Sequence, residues 1–188
     1  MSKRVLALAL ALVVLTCGIA SAQIPFIAVY FDPAYQVEGL APPPCDNPCP
    51  GFNVPGELWI ALVNANAFVT GVEFQVSYPS QIIWLADADT QPVTVGTTPT
   101  GFSMGWSTPQ NGFKAVDVCR VLFLWNCDRC DIADIPITVG PNPNTGFIGY
   151  TDFPNFNQFP ATGLTSLICA CVPAQETSWG KVKSLYAE

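Results

Sequence analysis

Seven of the eight cysteines fall into three groups: Cys45 and Cys49; Cys119, Cys127 and Cys130; Cys169 and Cys171. Thiolates bind metals, exchange electrons or cross-link a chain. Cys127-x-x-Cys130 has the spacing of zinc ligands, and a second pair could complete a four-thiolate site. The same spacing serves redox dithiols, but the βαβ context that such a motif needs is missing. Structural disulfides are the reading that an exported chain favours. Seven is odd, so at most three bridges form and one thiol is left, buried or linking two chains. We expect Cys45–Cys49, Cys127–Cys130 and a third bridge from Cys119 to Cys169 or Cys171. That third bridge closes a loop of about 50 residues, worth roughly 4 kcal/mol in the chain-entropy account. Cys169 and Cys171 would point to one face of a single strand and pair poorly with each other.

Carboxylates are the second chemical resource. Asp87-x-Asp89 and the series Asp128, Asp131 and Asp134 could offer oxygens to Ca²⁺, a hard cation. Neither has the spacing of an EF-hand loop; the alternative is a set of solvated turns. No other cofactor is expected. The chain has no histidine, which excludes His-based triads, His zinc sites and a His general base. Two carboxylates could still serve a glycoside hydrolase, yet 14 Asp and Glu residues single out no pair. The net charge of −7 leaves no basic surface for nucleic acid.

Tryptophan offers a third possibility, a stacking surface for sugars. Trp59 is out of phase with Leu58, Ile60 and Leu62 and is expected to face outward. Trp106 lies between Gly105 and Ser107 and is expected to be open as well. The alternative for each is packing between sheets.

These side chains need a scaffold, and the chain specifies one after an export signal. Lys3 and Arg4 precede the apolar run Val5–Leu15, and Ala20-Ser21-Ala22 matches a cleavage site. Cys17 is an alternative lipidation point that the downstream site disfavours. Cleavage of 22 of the 188 residues starts the mature chain at Gln23 and moves the charge from −7 to −9, because two basic residues leave. No later segment has the length of a transmembrane helix.

Beyond the signal, nine short segments read as strands: 24–31, 57–64, 69–78, 81–85, 91–95, 101–107, 114–125, 134–139 and 146–151. The clearest is Val69–Tyr78, where Val72, Phe74, Val76 and Tyr78 alternate with Glu73, Gln75 and Ser77. Turn signals such as Pro109-Gln-Asn-Gly112 recur every 8 to 12 residues, the rhythm of a sandwich or barrel. The expected layout is a signal peptide over 1–22, a β-sandwich over 23–172 and a tail over 173–188. In the tail, Ser178 can cap a short helix with Trp179, Val182 and Tyr186 on one face. Lys181 and Lys183 make it locally cationic. It would be a frayed end, a helix docked on its own domain, or a recognition element for sorting or a neighbouring subunit.

The stretch Gly56–Tyr78 resembles the opening of cohesin-like and related Ig-like secreted sandwiches. There a strand ends in Asn, and the next reads Gly, apolar, x, Phe, x, apolar, x, Tyr; the matching positions are Asn64, Gly71, Val72, Phe74, Val76 and Tyr78. The resemblance covers about two strands. The seven later cysteines and the Pro-rich Cys45–Cys49 insert depart from it. Cys127-Asp-Arg-Cys130, Gly163–Cys169 and Glu176–Lys183 are similar to segments of small secreted bacterial proteins, which implies no activity.

The expected fold is an all-β, Ig-like or cohesin-like antiparallel sandwich of about nine strands, stapled by disulfides. The expected role is a non-catalytic binding or adhesion module of the bacterial cell exterior, secreted, surface-bound or periplasmic, with a glycan or protein ligand. The main alternative is a structural subunit of a filament or surface layer, self-assembling through edge strands or the 175–188 tail.

Overall fold

The computed structural model describes residues 24–34, 52–126 and 135–168. They form twelve strands: β1 Phe26–Tyr30, β2 Phe52–Val63, β3 Phe68–Ser77, β4 Ile82–Ala88, β5 Val93–Thr97, β6 Gly101–Asn111, β7 Val116–Asn126, β8 Ile135–Gly140, β9 Gly149–Phe153, β10 Gln158–Pro160, β11 Thr162–Gly163 and β12 Thr165–Ile168. The first sheet has the order β11-β1-β2-β7-β4. The second has the order β10-β9-β3-β6-β5, with β8 also on β3 and β12 on β8. The fold is an all-β, two-sheet sandwich, as the alternating pattern requires. Each of the nine expected strands meets an observed one.

Period-2 alternation builds the core. Ile27 and Val29, Leu58, Ile60 and Leu62, and Val121, Phe123 and Trp125 face inward from the first sheet. Val72, Phe74 and Val76 with Phe102, Met104 and Trp106 meet them from the second. On β7 the partner register jumps from Cys119 to Asp117, so Val118 is an extra, bulged residue. The bulge resets the alternation and turns Val116 inward along with Cys119.

Three expectations change here. Cys119 carries a free thiol, 1% exposed, so the expected bridge to Cys169 or Cys171 is not made. Alternation aims its side chain into the apolar layer between the sheets, and burial pushes its thiol pKa well up. Trp106 is 9% exposed and sits in the core, because it shares the inward phase of Phe102 and Met104. The last stretch adds three short strands beyond the nine expected: β10, β11 and β12. Residues 162–168 leave the first sheet, where β11 lies parallel to β1, and join the second through β12 on β8. The remaining cysteines, Cys17, Cys45, Cys49, Cys127, Cys130, Cys169 and Cys171, lie outside the described residues, as do Asp128, Asp131, Asp134 and the segment where a tail helix is expected.

Candidate functional site

The outward positions of the second sheet are mostly small. Register places Val93, Gly105, Gly71, Thr151 and Gln158 in one row across five strands. The next row is Val95, Ser103, Glu73, Gly149 and Pro160. Glycine and serine on β3 and β6 therefore floor a channel. Val93 and Val95 wall one side, 67% and 71% exposed. Phe147, whose ring covers the Gly149 backbone, and Thr151 wall the other. Two depressions, about 200 and 340 Å³, share Gly71 and Thr151 and run along the strands as one groove.

Two turns shape its ends. At one, Asn142 is buried and donates from Nδ2 to Ser103 Oγ (3.1 Å). Its own carbonyl accepts from Gly146 N at 2.7 Å, closing the turn that carries Phe147. Thr145 Oγ1 from this turn donates to Glu73 in the groove floor. At the other end, a bulge in β3 at Thr70 sends its hydroxyl to the carbonyls of Thr151 and Asp152. Asp152, itself buried, accepts from Asn157 N at 2.7 Å and holds the loop that bears Phe156. Register pairs Phe68 with Phe153 at this end. Phe68 and Phe113 meet edge to face (5.9 Å, 82°), and so do Phe153 and Phe156 (6.1 Å, 87°). All four rings are substantially exposed.

This phenylalanine cluster was not among the residues that the sequence singles out. Its members are distant in the chain and are collected by strand register. The only local hint is Phe153-Pro-Asn-Phe156, two aromatics on one turn.

Of the residues singled out in the sequence, Trp106 lines the second depression from its place in the core, while Trp59, Asp87 and Asp89 sit elsewhere. Trp59 does face outward, on the first sheet, but it is half-buried against Ala28, Tyr30, Ala61 and Val63. Trp59 and Trp106 belong to different sheets, so they form no common platform. Asp87 accepts from Trp84 Nε1 (3.0 Å), Thr98 N (2.7 Å) and Thr98 Oγ1 (2.7 Å). Thr98 spends its one hydroxyl proton on Asp87, so Tyr78 must donate to Thr98 Oγ1 across 2.8 Å. The Asp87 carboxylate is thus engaged by protein donors and anchors the β5–β6 turn behind the groove wall. Asp89 is exposed and, with Glu57, pairs with Arg120 at 3.0 Å. Among the described residues no group of three or more Asp, Glu, Cys or His stands close enough to hold a metal ion.

Neither a protein-family profile nor a curated protein sequence matches the chain. Solved structures that it is similar to include a non-cellulosomal cohesin from the hyperthermophilic archaeon Archaeoglobus fulgidus (13% identity, 82% of this chain and 98% of that one, TM-score 0.47). A type III cohesin module from the cell-surface anchoring scaffoldin ScaE of Ruminococcus flavefaciens is another (12%, 80% and 91%, TM-score 0.45). CaCohA2 from Clostridium acetobutylicum is a third (12%, 80% and 94%, TM-score 0.44). The likeness is one of fold alone. No helix among the described residues is long and apolar enough to cross a membrane.

Proposed function

We propose that the chain is a non-catalytic, exported binding module that takes a protein ligand along the groove of the second sheet. The observation that carries this reading is the exposed cluster Phe68, Phe113, Phe153 and Phe156 at the mouth of a glycine-floored channel. A contiguous exposed apolar patch of this kind marks an interaction surface. Aromatic anchors in a groove fit a protein partner better than a sugar. The rings stand edge to face, so they present no shared flat face for a pyranose, and phenylalanine has no polar handle. The described residues hold seven carboxylates and two basic side chains, which favours a cationic partner.

One observation favours a second reading, a self-assembling subunit. Among the described residues β5 is the last strand of its sheet, with Val93 and Val95 exposed along it. The double variant Phe153→Ser/Phe156→Ser separates the readings. The binding-module reading expects at least a tenfold loss of capture of extracellular proteins, measured by biosensor, with an unchanged solution mass. Undiminished capture would overturn it. A wild-type oligomer that Val95→Lys dissolves would instead support the subunit.

A further inference from the structure

The larger depression of the groove, about 340 Å³, holds an unused hydrogen-bond donor. Trp106, Pro109, Phe153 and Phe156 line it together with Ser107 and Thr151. Trp106 is 9% exposed, so most of its ring is committed to the core. Its indole N–H has no acceptor among the described residues, where every side-chain nitrogen or oxygen sealed from solvent does have a partner. The N–H therefore reaches open space, and the space that Trp106 borders is this depression. The hydroxyls of Ser107 and Thr151 make no hydrogen bond among the described residues either. The floor itself offers nothing to a ligand's main chain. β3 pairs with β6 on one side and β9 on the other, so a chain lying over it cannot extend the ladder. Glu73 is the single charged side chain lining either depression, and Thr145 engages one of its oxygens.

We infer that the groove takes an extended, proline-bearing segment of the protein partner, with a basic residue three positions from the proline. The inference rests on the groove reading above and names its occupant. Proline fits the donor pattern. Its ring is an apolar plate for the aromatic walls, and it brings no N–H that would be left unpaired. A polyproline II segment leaves its carbonyls free, so one can accept from the Trp106 indole. A helix spends its carbonyls on its own ladder, except in the last turn. A β-strand ligand carries an N–H at every residue, and the interior strands below have no free carbonyl row to receive it. Glu73 sets the charge and the spacing. Register pairs Glu73 with Ser103, which precedes Trp106 by three residues on β6. Three residues of strand rise about 10 Å, and three residues of polyproline II at about 3.1 Å each cover nearly the same length. A proline against Trp106 thus brings a lysine or arginine three positions away over Glu73.

Titration of the isotope-labelled protein with a peptide of two Pro-Pro-Pro-Lys repeats, followed by NMR, tests it. The Trp106 indole resonance, assigned by its loss in Trp106→Phe, is expected to shift as the peptide binds with a Kd of about 1 mM or tighter. A peptide of two Ala-Ala-Ala-Lys repeats, equal in charge, is expected to bind about fivefold more weakly or not at all. Trp106→Phe keeps a ring and removes the donor, and should weaken the proline peptide about fivefold. Phe156→Ser, on an exposed loop, should weaken it similarly without touching the core. Glu73→Gln should lower the affinity and flatten its dependence on salt. An indole resonance that stays in place at millimolar peptide overturns the proposal, and so does equal binding of the alanine peptide. Loss of protein capture in Phe153→Ser/Phe156→Ser, with no response to the proline peptide, overturns the proline assignment and leaves the groove as the binding site. Undiminished capture in that double variant overturns both.

Discussion

The two sheets present opposite outer faces. On β1 and β2 the outward side chains Ala28, Tyr30, Ala61 and Val63 are as buried as the core. On β3, β6 and β9 the outward positions are Gly71, Gly105, Ser103, Gly149 and Thr151, and the apolar groups around them, Val93, Val95, Phe153 and Phe156, stay open. The first face is filled; the second is hollowed. Apolar side chains buried on a face contribute to stability, and those left open cost solubility.

Four measurements would break or sharpen that contrast. The largest effect should come from placing a charge on each face. Ala61→Asp buries a carboxylate and should lower the unfolding free energy by about 3 kcal/mol in urea titrations, whereas Val95→Asp, on the open face, should stay within about 0.5 kcal/mol. Equal costs would mean that the two faces are equally wet. Next, Asp87→Ala removes the acceptor of three hydrogen bonds behind the groove wall and should cost about 2 kcal/mol, against about 0.5 kcal/mol or less for the exposed Asp89→Ala. Gly105→Val comes third. A Cβ there meets only ordinary contacts with Val93 and the Thr70 backbone, so a side chain enters the groove at this point without a backbone clash. Ligand affinity should fall about tenfold with no change in melting temperature; an unaltered affinity would move the binding site off the groove.

The smallest effect is on pH. Burial first, and then the negative charge of Asp87, raise the Tyr78 phenol above the ordinary tyrosine value of 10.0, although its hydrogen bond to Thr98 acts in the opposite sense. In the unfolded chain Tyr78 ionises near 10.0; in the folded chain it keeps its proton to higher pH. Its contribution is therefore complete below pH 10 and is lost as the pH rises beyond it. Tyr78→Phe should flatten the fall in stability above pH 10, and an unaltered slope would remove Tyr78 as its source.

Most of the scaffold was legible in the sequence, because alternation is a local signal. β3 and the inward Val72, Phe74 and Val76 follow directly from it. Trp106 was misread because its small neighbours, Gly105 and Ser107, suggest openness; they are outward residues of the groove floor, and the tryptophan alternates with them. β10 to β12 escaped because they are two to four residues long and punctuated by Pro160 and Gly163, with pairing partners far away in sequence. The groove itself was illegible. Gly71, Gly105 and Gly149 become a floor only when register aligns three strands, and the phenylalanine cluster joins residues 68, 113, 153 and 156. Asp87 and Asp89, two positions apart, looked like a matched pair. Neighbouring strands gave one a buried network and the other an exposed arginine.

The parallel pairing of β1 with β11 also has a mechanical consequence. Thr162 N donates to Pro25 O, Leu164 N to Ile27 O and Ser166 Oγ to Val29 O, three bonds in a row between strands that run the same way. A pull on the two ends of the domain would drag these strands past each other along their length. The bonds would then share the load and fail together, rather than peel one at a time. The domain would resist such a pull at the seam where β1 meets residues 162–166.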